Sequence, residues 1–293
     1  MSGFSRRDFL KTGVVAGTLA SVGTLPLEAE RRTATSKVTL GRSGIEVTRL
    51  AFGTGSNNGH VQAALGQQEF SKLIHYAYDR GIRFFETAET YATPAMLGEA
   101  LKPFPRESYV LMNKVTTDEG VDPHQRFDEM RRISKTDYFD IMLLHWQHTS
   151  NWVADTARWQ EGMLEAQEKK TILSRGASVH GLPALRQVPG NKFLQIAMIR
   201  MNHIGTRMDG PIPDDNNLGN VAEVVQHVKQ VRSEGMGVVS MKLCGDGTFH
   251  RHEDRVAAMR FAMQNAGVDC VTVGFKNNQE VDEAIDNLNL ALS

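Results

Sequence analysis

Four side chains that can hold or steer a proton sit one after another at the ends of short apolar runs. Glu86 closes Ile82–Phe85, Tyr91 lies five residues on, Lys114 follows Tyr109–Asn113, and His145 follows Phe139–Leu144. A free phenol, with a pKa of about 10, grips its proton too tightly to be a good acid at neutral pH. An ammonium beside it favours the phenolate and lowers that pKa, and Lys114 is a candidate for this role toward Tyr91. Glu86 can pair with the lysine and keep it charged, and His145 can orient a polar group or assist a proton transfer. Each residue also has a plainer reading. Lys114 can be a strand-end lysine with its stem on the surface, Tyr91 a loop aromatic and His145 a satisfied core histidine. Singly the plainer readings win; four such types at successive strand ends favour chemistry.

Those ends converge only if the strands lie side by side and point the same way. The chain alternates strand and helix patterns in the way this requires. Apolar runs fall at Leu50–Gly53, Ile82–Phe85, Tyr109–Asn113, Phe139–Leu144, Ile172–Ala177, Phe193–Ile199, Val238–Leu243 and Val271–Val273. Helical spacing follows each, at Glu69–Asp79, Pro94–Leu101, Pro123–Ser134, Asp155–Lys169, Leu182–Gln187, Val221–Ser233, Asp254–Gln264 and Gln279–Leu290. Eight strands each followed by a helix predict an α/β fold, a (β/α)8 TIM barrel, whose strand ends form one chemical face. Lys37–Thr48 alternates about a Ser-Gly turn and predicts a β-hairpin ahead of the barrel. No linker interrupts residues 35–293, which are taken as one barrel domain. The stretch His203–Asn220, rich in Gly, Pro, Asp and Asn, is a long loop on the chemical face. With little chain after the last helix, this loop and Ser56–Gln68 are the segments expected to shape a pocket.

At these residues the chain resembles the aldo-keto reductase family. FFETAETY, from Phe84 to Tyr91, is similar to that family's FFDTAxxY box, with Glu86 in place of Asp. The resemblance runs from about Val38 to the end of the chain. It implies a catalytic tetrad in which Tyr91 is the acid/base, Lys114 and Glu86 tune it, and His145 orients a carbonyl. The reaction implied is carbonyl/alcohol interconversion with a nicotinamide cofactor. The extra methylene of Glu86 moves its carboxylate, and Glu89 is a second carboxylate placed to compete for Lys114.

The resemblance also implies cofactor contacts from Gly53, Thr54, Ser178, Asn202, Met241, Lys242, Gly274, Lys276, Glu280 and Glu283. Met241 stands where the family stacks an aromatic ring on the nicotinamide, and Lys242 is placed to meet a pyrophosphate. Val179, Met198 and Ala284 replace an Asn, a Gln and an Asn of the family's pocket. Glu280 falls where the family touches the 2′-phosphate of NADP. A carboxylate repels that phosphate and accepts from a ribose diol, so the cofactor expected is NAD or NADP, with NAD favoured and Lys276 pulling the other way. The plainer reading of GFKNNQEVDEAI is an ordinary helix cap.

The chain has 293 residues, is 41% apolar and 23% charged, and carries a formal net charge of −1. That balance gives no reason to expect nucleic acid or an anionic membrane as partner. SRRDFLK, Ser5 to Lys11, precedes an uncharged stretch from Thr12 to Leu27. Residues 1–34 read as a twin-arginine export signal, with cleavage near Ala29 or Ala34. This implies the twin-arginine export machinery as a partner, a periplasmic or other extracytoplasmic address, and a nicotinamide held tightly enough to travel and cycle within one site. Cys244 and Cys270 are expected as buried or half-buried thiols.

Two other readings stay open. His145, His148, His180 and His203 follow neighbouring strands and can be drawn as a metal site, with Glu86 or Glu89 as base in a lyase, hydrolase or epimerase. A barrel that binds a sugar or partner without catalysis is the other. The substrate expected is a small carbonyl or sugar-like molecule. Trp152 and Trp159, seven apart, read as one packed helix face, while Trp146 and Phe249 are candidates for the pocket. Nothing in the pattern sets the oligomeric state.

Overall fold

The computed structural model describes residues 32–210 and 218–293. The expected export signal falls, through residue 31, outside the described residues. The frame is a closed barrel of eight parallel strands: β3 (Leu50–Gly53), β4 (Phe84–Glu86), β5 (Val110–Val115), β6 (Phe139–Gln147), β7 (Ile172–Val179), β8 (Ile196–Arg200), β9 (Gly237–Met241) and β10 (Cys270–Gly274). It closes where β10 pairs with β3, from Val271 opposite Leu50 to Gly274 opposite Gly53. The expected hairpin is β1 (Lys37–Thr39) paired antiparallel with β2 (Glu46–Thr48). Its Leu40 and Val47 join the interior cluster and stop the floor. Gly41 there, at φ 47, lies so close to the turn before β9 that a Cβ would sit 2.4 Å from Gly235 O.

The alternation of each strand sorts its side chains into two cores. Ala51, Phe84, Met112, Ile141, Leu143, Ile196, Met198, Val239 and Met241 fill the inside. Phe52, Phe85, Leu111, Met142, Leu144, Ala177, Val179, Ala197 and Ile199 face the helices. Continuing the inward set toward the carboxyl ends brings Glu86, Lys114 and His145 to the top of the barrel.

The helices that hold the strands are α1 (His60–Ala63), α2 (Gly66–Asp79), α3 (Pro94–Leu101), α4 (Pro123–Ile133), α5 (Trp152–Asp155), α6 (Ala157–Glu168), α7 (Leu182–Leu185), α8 (Val221–Ser233), α9 (His252–Arg260) and α10 (Asn278–Leu292). In α2 the buried residues are Phe70, Leu73, Ile74 and Ala77, one stripe at helical spacing. Asp122 starts α4 by accepting from His124 N at 2.8 Å and Gln125 N at 3.1 Å.

Several boundaries differ from the sequence reading, each for a local reason. The strands extend through Glu86, Lys114 and His145 because ladder bonds continue past the apolar runs. The expected helix Asp155–Lys169 is two helices. Thr156 leaves helical geometry (φ −103, ψ 12), and its hydroxyl donates to Trp152 O at 2.8 Å. β8 begins at Ile196 rather than Phe193, since the Asn191 side chain holds Phe193 N at 2.9 Å in a turn. β9 stops at Met241 because Lys242 turns to φ 55. The last turns after α9 widen into a π-helical segment, Phe261–Ala266, that ends at Gly267 with φ 73. Trp152 and Trp159 are buried, as the packing reading expected, but they come from α5 and α6 rather than from one helix face.

Candidate active site

Lys114 and Glu86, inward neighbours on β5 and β4, form an ion pair with side chains only 1% and 3% exposed. The ammonium also donates to Thr87 O at 2.8 Å. Tyr91 comes from the turn after β4, where its backbone N donates to Ala88 O at 3.1 Å. Its ring centroid lies 4.7 Å from Lys114 Nζ, so the ammonium faces the ring. His145 meets the same ring edge-on, with centroids 5.8 Å apart and planes at 85°. The other side of Tyr91 is set by Gly55, where a Cβ would lie 2.4 Å from the ring and 2.6 Å from the hydroxyl oxygen. Only glycine leaves room for the phenol in this position.

The electrostatics follow from burial. Desolvation first, then the charge of Lys242, push Lys114 down from the usual lysine value, and the Glu86 carboxylate against it opposes both and keeps the ammonium. His145 is likewise held well below its ordinary value by burial and then by Lys114 and Lys242, so its imidazole is neutral at pH 7. The Tyr91 phenol is pushed up, chiefly by burial and further by the Asp246 carboxylate. Burial dominates this balance, and the expected lowering by Lys114 does not appear in it. It leaves a phenol that keeps its proton until a strong base appears. Glu89 does not compete for Lys114 either. It binds Arg126 Nη1 and Thr116 N, both at 3.0 Å.

Beside the tetrad opens a cavity of about 740 Å³. It runs from Glu86 and Tyr91 past Met198 and Met241 to Arg255, Glu283 and Asn287. Gly53, Met241, Lys242, Gly274, Lys276, Glu280 and Glu283 line it, as expected of cofactor residues. Thr54, Ser178 and Asn202 are spent elsewhere. The Thr54 hydroxyl donates to Glu86 O at 3.0 Å. Ser178 Oγ accepts from Trp146 N at 3.0 Å. Asn202 donates to Thr206 O at 2.6 Å and accepts from Gly205 N at 2.8 Å. These three fix the turns around the mouth. Glu280 caps its helix. Its carboxylate accepts from Lys276 N at 2.9 Å, while Asn277 Oδ1 accepts from Glu280 N at 2.9 Å. The plainer cap reading therefore describes what Glu280 does in this chain. Glu283 is gripped by Arg255 through bonds of 2.6 and 3.1 Å. Lys242 pairs with Asp246 at 2.9 Å.

Both loops expected to shape the pocket reach it, Ser56, Asn57 and Val61 from the first and Arg207 from the second. His203 lies against Phe249, with ring centroids 5.6 Å apart, and His148 against Trp146 at 4.3 Å. Among the described residues no group of three or more His, Cys, Asp or Glu gathers as metal ligands, so the histidine reading finds no centre there. Trp146 is 53% exposed and adopts φ 56. Cys244 is half-buried on the cavity wall, Cys270 is buried in the barrel, and both are free. Sequence reasoning missed Gly55, Asp246 and Arg255. Gly55 sits in the GTG that ends β3 and carried a signal; the partners of the other two are set only by the fold.

Residues 49–257 match the family model described as Aldo/keto reductase family. A Glycine max protein named for the aldo-keto reductases is 39% identical over 80 residues, which is 26% of this chain and 23% of that one. The methylglyoxal reductase DkgA of Salmonella typhimurium is 27% identical over 124 residues, 37% of this chain and 45% of that one. The matched stretches thus span about a quarter to half the length of these curated relatives. Among solved structures, the holo form of a Bacillus halodurans aldo-keto reductase has a TM-score of 0.68 at 18% identity, covering 88% of this chain and 95% of that one. An aldo-keto reductase from Klebsiella pneumoniae in complex with NADPH has a TM-score of 0.65 at 15% identity, covering 87% and 90%. At these identities the structural likeness speaks to fold.

Proposed function

The chain belongs to the aldo/keto reductase family, and from that premise we propose that it interconverts a small carbonyl compound and its alcohol with a nicotinamide cofactor. The observation that carries this reading is the buried Lys114–Glu86 pair beneath the Tyr91 ring, with a neutral His145 at its edge. A nicotinamide dinucleotide fits the adjoining cavity. Its volume lies in the range of small-molecule sites. The thioethers of Met198 and Met241 give it an apolar wall near Tyr91. Thr272 Oγ1, on the same wall, is a buried hydroxyl with no protein partner. When bound, such a cofactor supplies or takes a hydride.

The residues do the rest. The carbonyl oxygen sits between the Tyr91 hydroxyl and the His145 ring, which donates or accepts without adding charge. As charge builds on that oxygen, it becomes a stronger base than a phenolate, and Tyr91 gives up its proton. The Lys114 ammonium under the ring steadies the phenolate left behind, and Glu86 keeps the ammonium in place. In the alcohol direction the phenolate takes the proton back.

NAD is the cofactor favoured. At the far end of the cavity Lys276 and Arg255 already have carboxylate partners in Glu280 and Glu283, so an added 2′-phosphate meets two carboxylates. The name of the methylglyoxal reductase relative supports a small carbonyl as substrate. The arginine pair and uncharged run of residues 1–34 support export by the twin-arginine route with the cofactor aboard. To test the reading, the mature protein is purified from its host, denatured and assayed by mass spectrometry for released nucleotide, and then tested for reduction of a carbonyl panel. Tyr91→Phe should keep its circular dichroism spectrum and lose turnover by roughly 10²–10⁴-fold. Normal turnover by that variant sinks the assignment.

A further inference from the structure

Thr93 stands at the N-cap of α3, two residues after Tyr91. A threonine there ordinarily accepts from a backbone N–H of the first helical turn, a bond worth about 1 kcal/mol. Thr93 makes no such cap bond. Its side chain is fully buried and turned toward the residue that follows β3. The hydroxyl donates toward Thr54 Oγ1 at 2.9 Å and Thr54 O at 3.1 Å. Thr54 is fully buried too, and its hydroxyl donates in turn to Glu86 O at 3.0 Å. A chain of hydroxyls thus runs from the turn that carries Tyr91 to the strand residue whose carboxylate pairs with Lys114. Departures from a local rule of this kind concentrate at functional sites.

We propose that Thr93 is a positioning residue for Tyr91, and that it gives up its cap bond to clasp the Tyr91 turn onto Thr54 and Glu86. The turn is tied at its start, where Thr87 N donates to Met112 O and Glu89 N to Lys114 O, both at 2.9 Å. The Thr93 hydroxyl ties its end, and Tyr91 lies between the two ties. The same short piece of chain meets Tyr91 directly, since Gly55, next to Thr54, is the glycine on which the phenol packs. The clasp therefore sets how far the phenol stands from the Lys114 ammonium, whose Nζ lies 4.7 Å from the ring centroid. This rests on the carbonyl chemistry proposed above, in which Tyr91 moves the proton. Misplacing such a group by about 1 Å costs on the order of 10²-fold in rate.

The test uses the purified full chain. Thr93→Val keeps the shape of the side chain and removes its proton. Its kcat on a carbonyl that wild type reduces should fall roughly 10- to 100-fold, while KM and the Kd for NAD stay within about twofold. Thr93→Ser, which keeps the hydroxyl, should recover most of kcat. The two hydroxyls act in series, so Thr54→Val with Thr93→Val should lose little more than Thr54→Val alone. Wild-type kcat in Thr93→Val, equal losses in the Val and Ser variants, or losses that multiply in the double variant overturn the proposal. Should Thr93→Val not fold, Thr93→Cys, whose thiol is a weak donor, takes its place in the same comparisons. If wild type reduces no carbonyl, the reductase reading fails, and the clasp is tested on the ring itself. The chain has five tyrosines, and with labelled tyrosine the Tyr91 ring resonances are assigned by Tyr91→Phe. They should move in Thr93→Val and return in Thr93→Ser. Resonances that stay in place in Thr93→Val overturn the proposal.

Discussion

Replacing Glu86 by Gln removes the charge partner of an ammonium that is 1% exposed. Breaking a buried pair in this way costs about 3–5 kcal/mol, since the remaining charge is left uncompensated. The protein has one escape, which is to drop the Lys114 proton. At pH 7 that costs about 4.6 kcal/mol relative to an unfolded lysine of pKa about 10.4, at 1.36 kcal/mol per unit. The two figures agree, so the variant should lose about 3–5 kcal/mol and should hold Lys114 neutral. The sign follows from proton counts. The unfolded variant binds one proton more than the folded variant, so its stability rises with pH. The penalty should shrink to about 1.9 kcal/mol at pH 9. Urea unfolding of wild type and variant at both pH values reads this out. Glu86→Asp, which keeps the charge, should lose far less. A loss below about 1 kcal/mol, or a loss that does not change with pH, would refute the account of a buried, charge-compensated lysine.

Three further outcomes follow from the same geometry. Gly55→Ala should fold, at a cost of about 1–3 kcal/mol from overpacking. It should lose roughly 10²-fold in kcat/KM, because the new methyl displaces the Tyr91 ring. Since burial holds His145 below its ordinary value, kcat/KM should stay flat from about pH 8 down to about pH 6.5 and fall only as the ring gains a proton further down; a limb centred near the unperturbed value would contradict the burial argument. Isothermal titration should give a tighter Kd for NAD than for NADP. Glu280→Gln should then improve NADP binding only about two- to fivefold, because that carboxylate sits at a partly exposed edge.

Much of this was readable in the chain. The eight apolar runs and their helices are set by local pattern, and pattern alone placed Glu86, Lys114 and His145 on one face. What was not readable is which polar groups partner which. Glu89 and Glu86 differ by three positions and share a chemistry. One binds Arg126 and the other Lys114 because of where α4 and β5 lie. Glu280 lines the cavity and also closes its own helix start by accepting from Lys276 N, a second role that only the fold sets. Asn202 and Ser178 match cofactor residues by type, and their hydrogen bonds to Gly205 N and Trp146 N are set only by the fold. The direction of the Tyr91 shift was also hidden, for it follows from burial and from the Asp246 carboxylate, which only the fold brings near.

The junction of β10 with β3, from Val271 opposite Leu50 to Gly274 opposite Gly53, bears on how the molecule comes into being. A ribosome adding roughly 5–20 residues per second releases the last barrel strand some tens of seconds after the first. Through that interval β3 has one edge without its neighbour, and the apolar lining beneath the hairpin has no closed wall around it. Local helices and neighbouring strand pairs can form early, but the ring joins its own ends only when the final segment arrives. Nearly the whole sequence must be made before the interior is sealed, and a chain cut short anywhere before β10 is left with two open sheet edges, ready to pair with another copy.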